Sequence, residues 1–104
     1  MIRIIDGKRY NTETAELLAE WNNGLGPSDF HNCSEELYKT KKGCYFICGD
    51  GGALSKYSKP CGSNSWRGGC DIIVLTKQEA MEWLEDKNFP SVIEDEFPDL
   101  VEDA

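Results

Sequence analysis

The chain has 104 residues, of which 39% are hydrophobic and 11% aromatic, and its formal net charge is −8. This length fits one domain over residues 1–104, and this composition argues for a globular core rather than a disordered chain. The charge argues against direct binding of nucleic acid. We find no apolar stretch of about seven residues near the N-terminus and none of about eighteen elsewhere, which predicts neither a signal peptide nor a membrane span. We therefore expect a cytoplasmic protein.

The negative charge is concentrated near the C-terminal end of the chain. Residues 79–104 contain ten acidic side chains and one base, Lys87, whereas residues 1–78 contain nine acidic and ten basic side chains. The whole excess therefore belongs to the last quarter of the chain. Within it, residues 88–104 are predicted to form an acidic, partly irregular segment of the same domain.

The N-terminal residues predict a β-hairpin. Residues 2–5 read as a short strand, Asp6-Gly7 is a dipeptide typical of type I′ turns, and residues 8–10 should return beside the first strand. The next segment, residues 13–21, fits either a helix capped by Thr12 or a strand with alternating apolar positions. We favour the strand, because a sheet needs neighbours for its central hairpin.

The clearest prediction is a second β-hairpin over residues 37–48. Residues 37–40 and 44–48 are rich in β-branched and aromatic side chains, and the loop Lys41-Lys42-Gly43 ends in a glycine that can adopt a positive φ. Both faces of the second strand are apolar, so we expect a central strand with cover on each side. The glycine-rich run GDGG at residues 49–52 should end this strand.

Irregular segments separate this hairpin from its neighbours. Residues 22–32 and 59–70 are dense in Gly, Pro, Asn, Asp and Ser and read as loops. Residues 53–58 suit one helical turn better than a strand. Residues 72–75 are a continuous apolar run of strand length.

The C-terminal part of the chain predicts helix. Thr76 and Glu79 form a capping box, followed by a helix from Lys77 to about Lys87. The side chains expected on its buried face are Ala80, Met81, Trp83 and Leu84. A weaker box at residues 91–94 predicts a further short helix. Together these elements predict an α+β fold, with a small antiparallel β-sheet centred on the 37–48 hairpin and a C-terminal helix.

Five cysteines supply soft ligands for a metal ion. In a reducing compartment, an odd number of cysteines favours thiols or metal ligands over disulfides. Regular strand spacing separates the Cα atoms of Cys44 and Cys48 by about 13 Å, so at most one of them binds a given ion. We predict a structural Zn²⁺ site formed by Cys33, Cys48, Cys61 and Cys70, in which Cys44 or His31 could replace one ligand. The alternative is that the cysteines are buried thiols that act as small apolar side chains.

The sequence does not predict an enzyme. His31 is the single histidine, and together with Cys33 it lies in a loop that lacks a nucleophile elbow. The run GDGG lacks the lysine and the Ser/Thr of a phosphate-binding loop. We therefore interpret His31 as a surface residue or a stray ligand, and GDGG as a turn.

Acidic side chains in and after the C-terminal helix are the candidate partner-binding residues. Dense negative charge can steer a protein onto a basic groove that normally holds nucleic acid. Trp66, beside Arg67, is of a residue type enriched at interface hot spots. The predicted partner-binding set is Glu82, Glu85, Asp86, Glu94, Asp95, Glu96, Asp99 and Trp66. The alternatives are a solvated helix face with a solubilising tail, and a Trp66 that turns inward to cover its own loop.

Four stretches carry a resemblance to known proteins: IDGKRYNTETAELLAEW, ELYKTKKGCYFICGDGGALSKYS, CGSNSW and IVLTKQEAMEWLE. They resemble short proteins of phages and mobile elements of Gram-positive bacteria, in which a hairpin of the form LYrtkkGxYF precedes a glycine-rich turn, a strand and a helix. Such small acidic proteins include anti-CRISPR inhibitors. In size, acidity and cysteine content the chain is similar to a zinc-containing anti-CRISPR protein of type II systems.

The resemblance implies a function. It implies a non-enzymatic inhibitor that binds a type II RNA-guided Cas nuclease and prevents target DNA from loading, with the acidic surface against a basic lobe of the nuclease. The alternative is a zinc-stabilised accessory or regulatory module of a mobile element, in which the acidic tail only solubilises the protein.

Overall fold

The computed structural model describes residues 1–26, 28–62 and 65–104; Pro27, Ser63 and Asn64, which belong to two of the predicted loops, lie outside the described residues. The chain forms the mixed α and β fold that the sequence predicts. The elements are β1 (Ile2–Ile5), β2 (Lys8–Asn11), β3 (Glu16–Asn22), β4 (Cys33–Lys39), β5 (Tyr45–Gly51), β6 (Lys59–Pro60), β7 (Trp66–Arg67), β8 (Gly69–Leu75), α1 (Lys77–Asp86), α2 (Pro90–Glu96) and a 3₁₀ turn (Pro98–Leu100).

The main sheet has four antiparallel strands in the order β3-β4-β5-β8. Lys39 pairs with Tyr45 at one end of the β4–β5 hairpin and Cys33 pairs with Gly51 at the other, so the predicted hairpin is confirmed and is longer than residues 37–48. Gly43 in its turn has a φ of 88°, a value that favours glycine. β3 confirms the strand reading for residues 16–21, where pairing with β4 overrides the helix propensity, whereas residues 13–15 form a turn.

The prediction that the glycine-rich run ends the central strand is wrong. β5 continues through Gly49 and Asp50 to Gly51, and β8 pairs with it along this whole length. The glycine at position 49 makes room for an aromatic ring, because a Cβ on Gly49 would overlap the side chain of Tyr57. The missing side chain therefore serves packing across the strand rather than a turn.

Each face of β5 packs against its own apolar cluster, which confirms the predicted central strand. Tyr45 and Ile47 face the helices and pack with Leu37. On the opposite face Phe46 packs with Tyr38 and Ile72, and Tyr10 of β2 completes that cluster. The β1–β2 hairpin thus covers the face of the sheet that the helices leave open. Its turn has positive φ at both Asp6 (51°) and Gly7 (76°), as the predicted type I′ turn requires.

α1 begins at the predicted capping box. Thr76 Oγ1 accepts a hydrogen bond from Glu79 N at 3.1 Å, and Glu79 Oε1 accepts one from Thr76 N at 2.9 Å. Of its four predicted buried residues, Ala80 and Leu84 are buried, whereas Met81 and Trp83 are half-buried.

The second predicted capping box is wrong, although the short helix exists. α2 begins at Pro90, and within the described residues its N-terminus has no side-chain cap. Proline at the first helical position supplies a suitable φ and lacks the N–H that a cap would satisfy. The helix therefore starts before Ser91 and does not need the box.

Two loop predictions need correction. The region 59–70 is not wholly irregular, because β6 and β7 pair as a short ladder in which Lys59 lies opposite Arg67 and Pro60 opposite Trp66. Residues 53–57 form tight turns and not the predicted helical turn. The described residues between β3 and β4 form the predicted loop.

A like-charge pair on β3 and β4 gives a stability prediction. Glu20 lies directly opposite Glu36, and burial together with repulsion from Glu20 raises the pKa of Glu36 above 4.5. We expect Glu20→Lys to raise the free energy of unfolding at neutral pH by about 0.5–1 kcal/mol, since it replaces repulsion by attraction. Urea unfolding measures this gain, with Glu13→Lys as the matched control for net charge. The repulsion between Glu20 and Glu36 acts only when Glu36 is deprotonated, and the pKa of Glu36 is raised in the folded protein. The gain in the free energy of unfolding should therefore vanish in acid. A gain that persists in acid contradicts the electrostatic explanation.

Candidate partner-binding site

Six of the predicted acidic contacts lie on the outer surface of the helical layer. The buried residues of α1 are Ala80 and Leu84, and the buried residue of α2 is Ile93. Because an α-helix repeats every 3.6 residues, the acidic side chains at other positions of these helices point away from the sheet. We call this exposed set the acidic face: Glu82, Glu85, Asp86, Glu94, Asp95 and Asp99.

Little positive charge compensates the acidic face. Lys87 Nζ lies 3.1 Å from Asp86 Oδ2 and also 3.7 Å from the centroid of the Trp21 ring, so this cation is held at the edge of the face. In the part of the chain that the structure describes, Glu85, Glu94 and Asp95 have no ion-pair partner. The carboxylates therefore produce an uncompensated negative potential.

An apolar groove interrupts this charge. A cavity of about 300 Å³ lies between α1 and the chain that follows α2, with Glu85 and Glu94 among the residues that line it. Its apolar lining includes Leu100 and Val101, which are 46% and 42% exposed. The acidic face therefore combines charge with a surface that can exclude water from a contact, as the core of a protein interface does.

The seventh predicted acidic contact, Glu96, is engaged inside the protein. Its Oε2 accepts hydrogen bonds from Lys39 Nζ at 3.0 Å and from the Tyr45 hydroxyl at 3.3 Å, and its side chain is 15% exposed. The bond to Glu96 raises the pKa of Lys39. Glu96 therefore anchors α2 to the sheet, and the structure does not bring it into the acidic face.

Trp66 lies apart from the acidic face, beside a separate groove. This groove has a volume of about 710 Å³ and is also lined by Phe30 and by the backbone of glycines such as Gly52 and Gly68. Trp66 is 59% exposed and Phe30 is 66% exposed. A Cβ on Gly52 would crowd the carbonyl of Phe30, so this glycine lets the loop that carries Phe30 pack closely against the end of β5. The sequence identified Trp66 but missed Phe30, which lies in a loop without a repeating apolar pattern.

A buried carboxylate that the sequence analysis missed lies beneath α1. Glu35 is 1% exposed, and its oxygens accept hydrogen bonds from the Tyr57 hydroxyl, from Trp83 Nε1 at 3.1 Å and from Lys56 Nζ at 2.7 Å. Burial alone would raise the pKa of Glu35, but these three donors together lower it below 4.5. Its place in the alternation of β4, two residues before the buried Leu37, is the signal that could have located it.

The hydrogen bonds of this network fix the protonation of its members. Burial and the hydrogen bond to Glu35 raise the pKa of Tyr57, so its hydroxyl remains a donor at any physiological pH. A carboxylate that is fully ionised and engaged by three donors is a poor general base. Glu35 therefore joins the 53–57 turns and α1 to the sheet.

The structure does not bring the four predicted zinc ligands together. Cys33 lies on the helix-facing side of β4, as Leu37 does. Cys48 lies on the opposite face of the sheet and packs with the cluster there. Cys70 of β8 is on the same face as Cys48, as its diagonal neighbour on the paired strand. Cys61 is exposed and lies outside the main sheet. Across residues 1–26, 28–62 and 65–104, no group of three or more His, Cys, Asp or Glu side chains could hold a metal ion.

The thiols nevertheless have distinct environments. Burial raises the pKa of Cys33 and of Cys48, so both are neutral at physiological pH. The Sγ atom of Cys48 lies 3.8 Å from the Sδ atom of Met1. His31, the predicted alternative ligand, is exposed in the loop before β4. The zinc site stays a prediction, which metal analysis of the purified protein tests.

Among the described residues, no helix has both the length and the apolar character needed to cross a membrane. No protein-family model matches the chain, and neither a curated protein nor a solved structure shows significant similarity to it.

Proposed function

We propose that this chain is a non-enzymatic inhibitor that binds a basic, nucleic-acid-handling protein through its acidic face. The observation that supports this proposal is the segregation of charge: carboxylates that include Glu85, Glu94 and Asp95 project from the helical layer without compensating cations in the described part of the chain. The apolar groove with Leu100 and Val101 supplies a contact that depends on shape as well as charge.

The proposed mechanism is competition for a positively charged surface. A basic groove that binds nucleic acid attracts phosphates through their charge and gains affinity when counterions are released. Carboxylates on a rigid helical layer can occupy the same positions and exclude the nucleic acid. Trp66 and Phe30, which line the separate groove of about 710 Å³, offer a second and more apolar contact.

The resemblance to proteins of phages and mobile elements makes a type II Cas nuclease the first partner to test, in the cytoplasm of a bacterial host. Such a nuclease holds the guide–target heteroduplex in a positively charged channel that reads backbone geometry rather than sequence. Occupation of this channel would prevent target DNA from loading.

The experiment is cleavage of a target plasmid by a guide-loaded type II Cas nuclease, titrated with this protein at two salt concentrations. We expect inhibition at near-equimolar protein and weaker inhibition at the higher salt concentration. Full cleavage at large excess, repeated with several type II nucleases, would leave the zinc-stabilised accessory module as the remaining hypothesis. Metal content and the melting temperature of Cys61→Ser and Cys70→Ser variants then test that hypothesis.

Charge reversal within the acidic face should weaken inhibition. We expect Glu94→Lys combined with Asp95→Lys to raise the concentration for half-inhibition about tenfold and to reduce its salt dependence, since two negative charges are lost and two positive ones gained. The matched control is Glu13→Lys combined with Glu16→Lys, which changes the net charge equally at exposed positions outside the helices. Equal effects of both variants would show that net charge, and not the acidic face, is responsible.

A further inference from the structure

Although the protein is acidic, one end of the main sheet is basic. The turn between β1 and β2 and the turn between β4 and β5 together line a cavity of about 530 Å³. Its lining includes Lys8 and Arg9 from the first hairpin and Lys41 and Lys42 from the second. We call this cavity the basic pocket.

No ion pair among the described residues neutralises the four cations of the basic pocket. All four are exposed. By contrast, the neighbouring Lys39 is occupied by Glu96. Like charges that converge without a partner cost electrostatic free energy, and an anion between them would recover it.

The pocket is built on constrained backbone. One wall is a type I′ turn, and the other is a loop in which Thr40 N donates to the Cys44 carbonyl at 2.8 Å and Gly43 N donates to the Thr40 carbonyl at 2.9 Å. Thr40 Oγ1 accepts a hydrogen bond from Cys44 N at 3.0 Å, which leaves its O–H available as a donor in the lining. Tyr10 is 4% exposed and packs against Phe46, so it holds the two hairpins together at the pocket.

We propose that the basic pocket binds a compact phosphate-bearing ligand. Lysine and arginine side chains around a small cavity match the several charged oxygens of a di- or triphosphate group. A compact ligand is favoured over a long nucleic acid, because screening confines the attraction to about 8–10 Å, whereas an extended polyanion would also meet the acidic remainder of the surface. This site is separate from the acidic face and does not depend on the proposed inhibition.

The test is calorimetric titration of the full chain with inorganic triphosphate at low salt, in parallel with a short single-stranded DNA. We expect triphosphate to bind, and Lys8→Gln combined with Lys42→Gln to weaken this binding about tenfold. The matched control is Lys59→Gln combined with Arg67→Gln, which removes the same charge at the opposite end of the β5–β8 pair and should leave binding unchanged.

Four results would overturn the proposal, three in the titrations and one in sedimentation. One is absence of triphosphate binding, and the second is equal weakening in both double variants, which would indicate non-specific ion attraction. The third is tighter binding of the DNA than of triphosphate, which would make the pocket part of a nucleic-acid surface. The fourth is self-association, measured by sedimentation of the ligand-free protein at low salt. If the protein self-associates and the Lys8→Gln, Lys42→Gln variant does not, the cations of the basic pocket contact the acidic face of a second copy and not a phosphate ligand.

Discussion

Replacement of Glu35 by alanine should lower the free energy of unfolding by about 3–5 kcal/mol, because it leaves buried donors without their acceptor. Tyr57 and Trp83 both donate to this carboxylate from the protein interior. Lys56 contributes less, since its side chain is 58% exposed and water can replace the lost partner. Urea unfolding at neutral pH measures the change, which is a large part of the stability of a small domain.

Two further variants separate the parts of this network. Lys56→Met should cost about 1–2 kcal/mol, less than Glu35→Ala, because it leaves the buried carboxylate without its cation but keeps both interior donors. Tyr57→Phe removes one donor and should cost about 1–2 kcal/mol. If Glu35→Ala proved no more damaging than Lys56→Met, the buried hydrogen bonds would not hold α1 and the turns to the sheet.

The pH dependence of stability gives an independent readout of Glu35. Its folded pKa lies below 4.5, so around and below this pH the folded protein binds fewer protons at this site than the unfolded chain. The contribution of Glu35 is therefore present above pH 4.5 and is lost as the pH falls through the folded pKa. In Glu35→Gln this part of the acid dependence should disappear.

Replacement of Gly49 by alanine should lower the free energy of unfolding by about 3 kcal/mol, because the added methyl group overlaps the Tyr57 ring. The ring cannot move away without loss of its hydrogen bond to Glu35. The position also lies in the central strand, where the backbone is paired on both sides. Thermal or urea unfolding measures the change.

A double-mutant cycle identifies the cause of the Gly49 effect. In a Tyr57→Ala background the added methyl group has space, so Gly49→Ala should then cost less than about 1 kcal/mol. Gly26→Ala is the control, because a Cβ at Gly26 meets no atom within 4 Å among the described residues beyond its chain neighbours. The same cost with and without the Tyr57 ring would refute the packing explanation.

The candidate site could be predicted from the sequence only in part. Composition located the acidic segment, because charged side chains are normally exposed wherever the chain carries them. It could not separate Glu96 from its neighbours Glu94 and Asp95, since only the packing of α2 against β4 and β5 places Lys39 and the Tyr45 hydroxyl beside it. The basic pocket was missed for the same reason, as its cations come from two hairpins that meet in space.

The local elements with a short-range physical cause were determined by the sequence alone. The Asp6-Gly7 turn follows from the positive φ that these residues tolerate, the start of α1 from the capping box at Thr76, and the central hairpin from apolar strands beside a loop that ends in Gly43. Each depends on contacts within a few residues, which the sequence displays directly.

Only the tertiary structure decided where distant residues meet. The sequence predicts that β5 ends at its glycine-rich run, but in the structure β5 continues through this run and pairs with β8. Tyr57 fills the space above Gly49 that a side chain would otherwise occupy. The tertiary structure also placed Cys33 on one face of the sheet and Cys48 on the other, a relation set by the register of β4 and β5. Register and packing arise from many weak contacts summed over the whole fold, so no single stretch of sequence contains them.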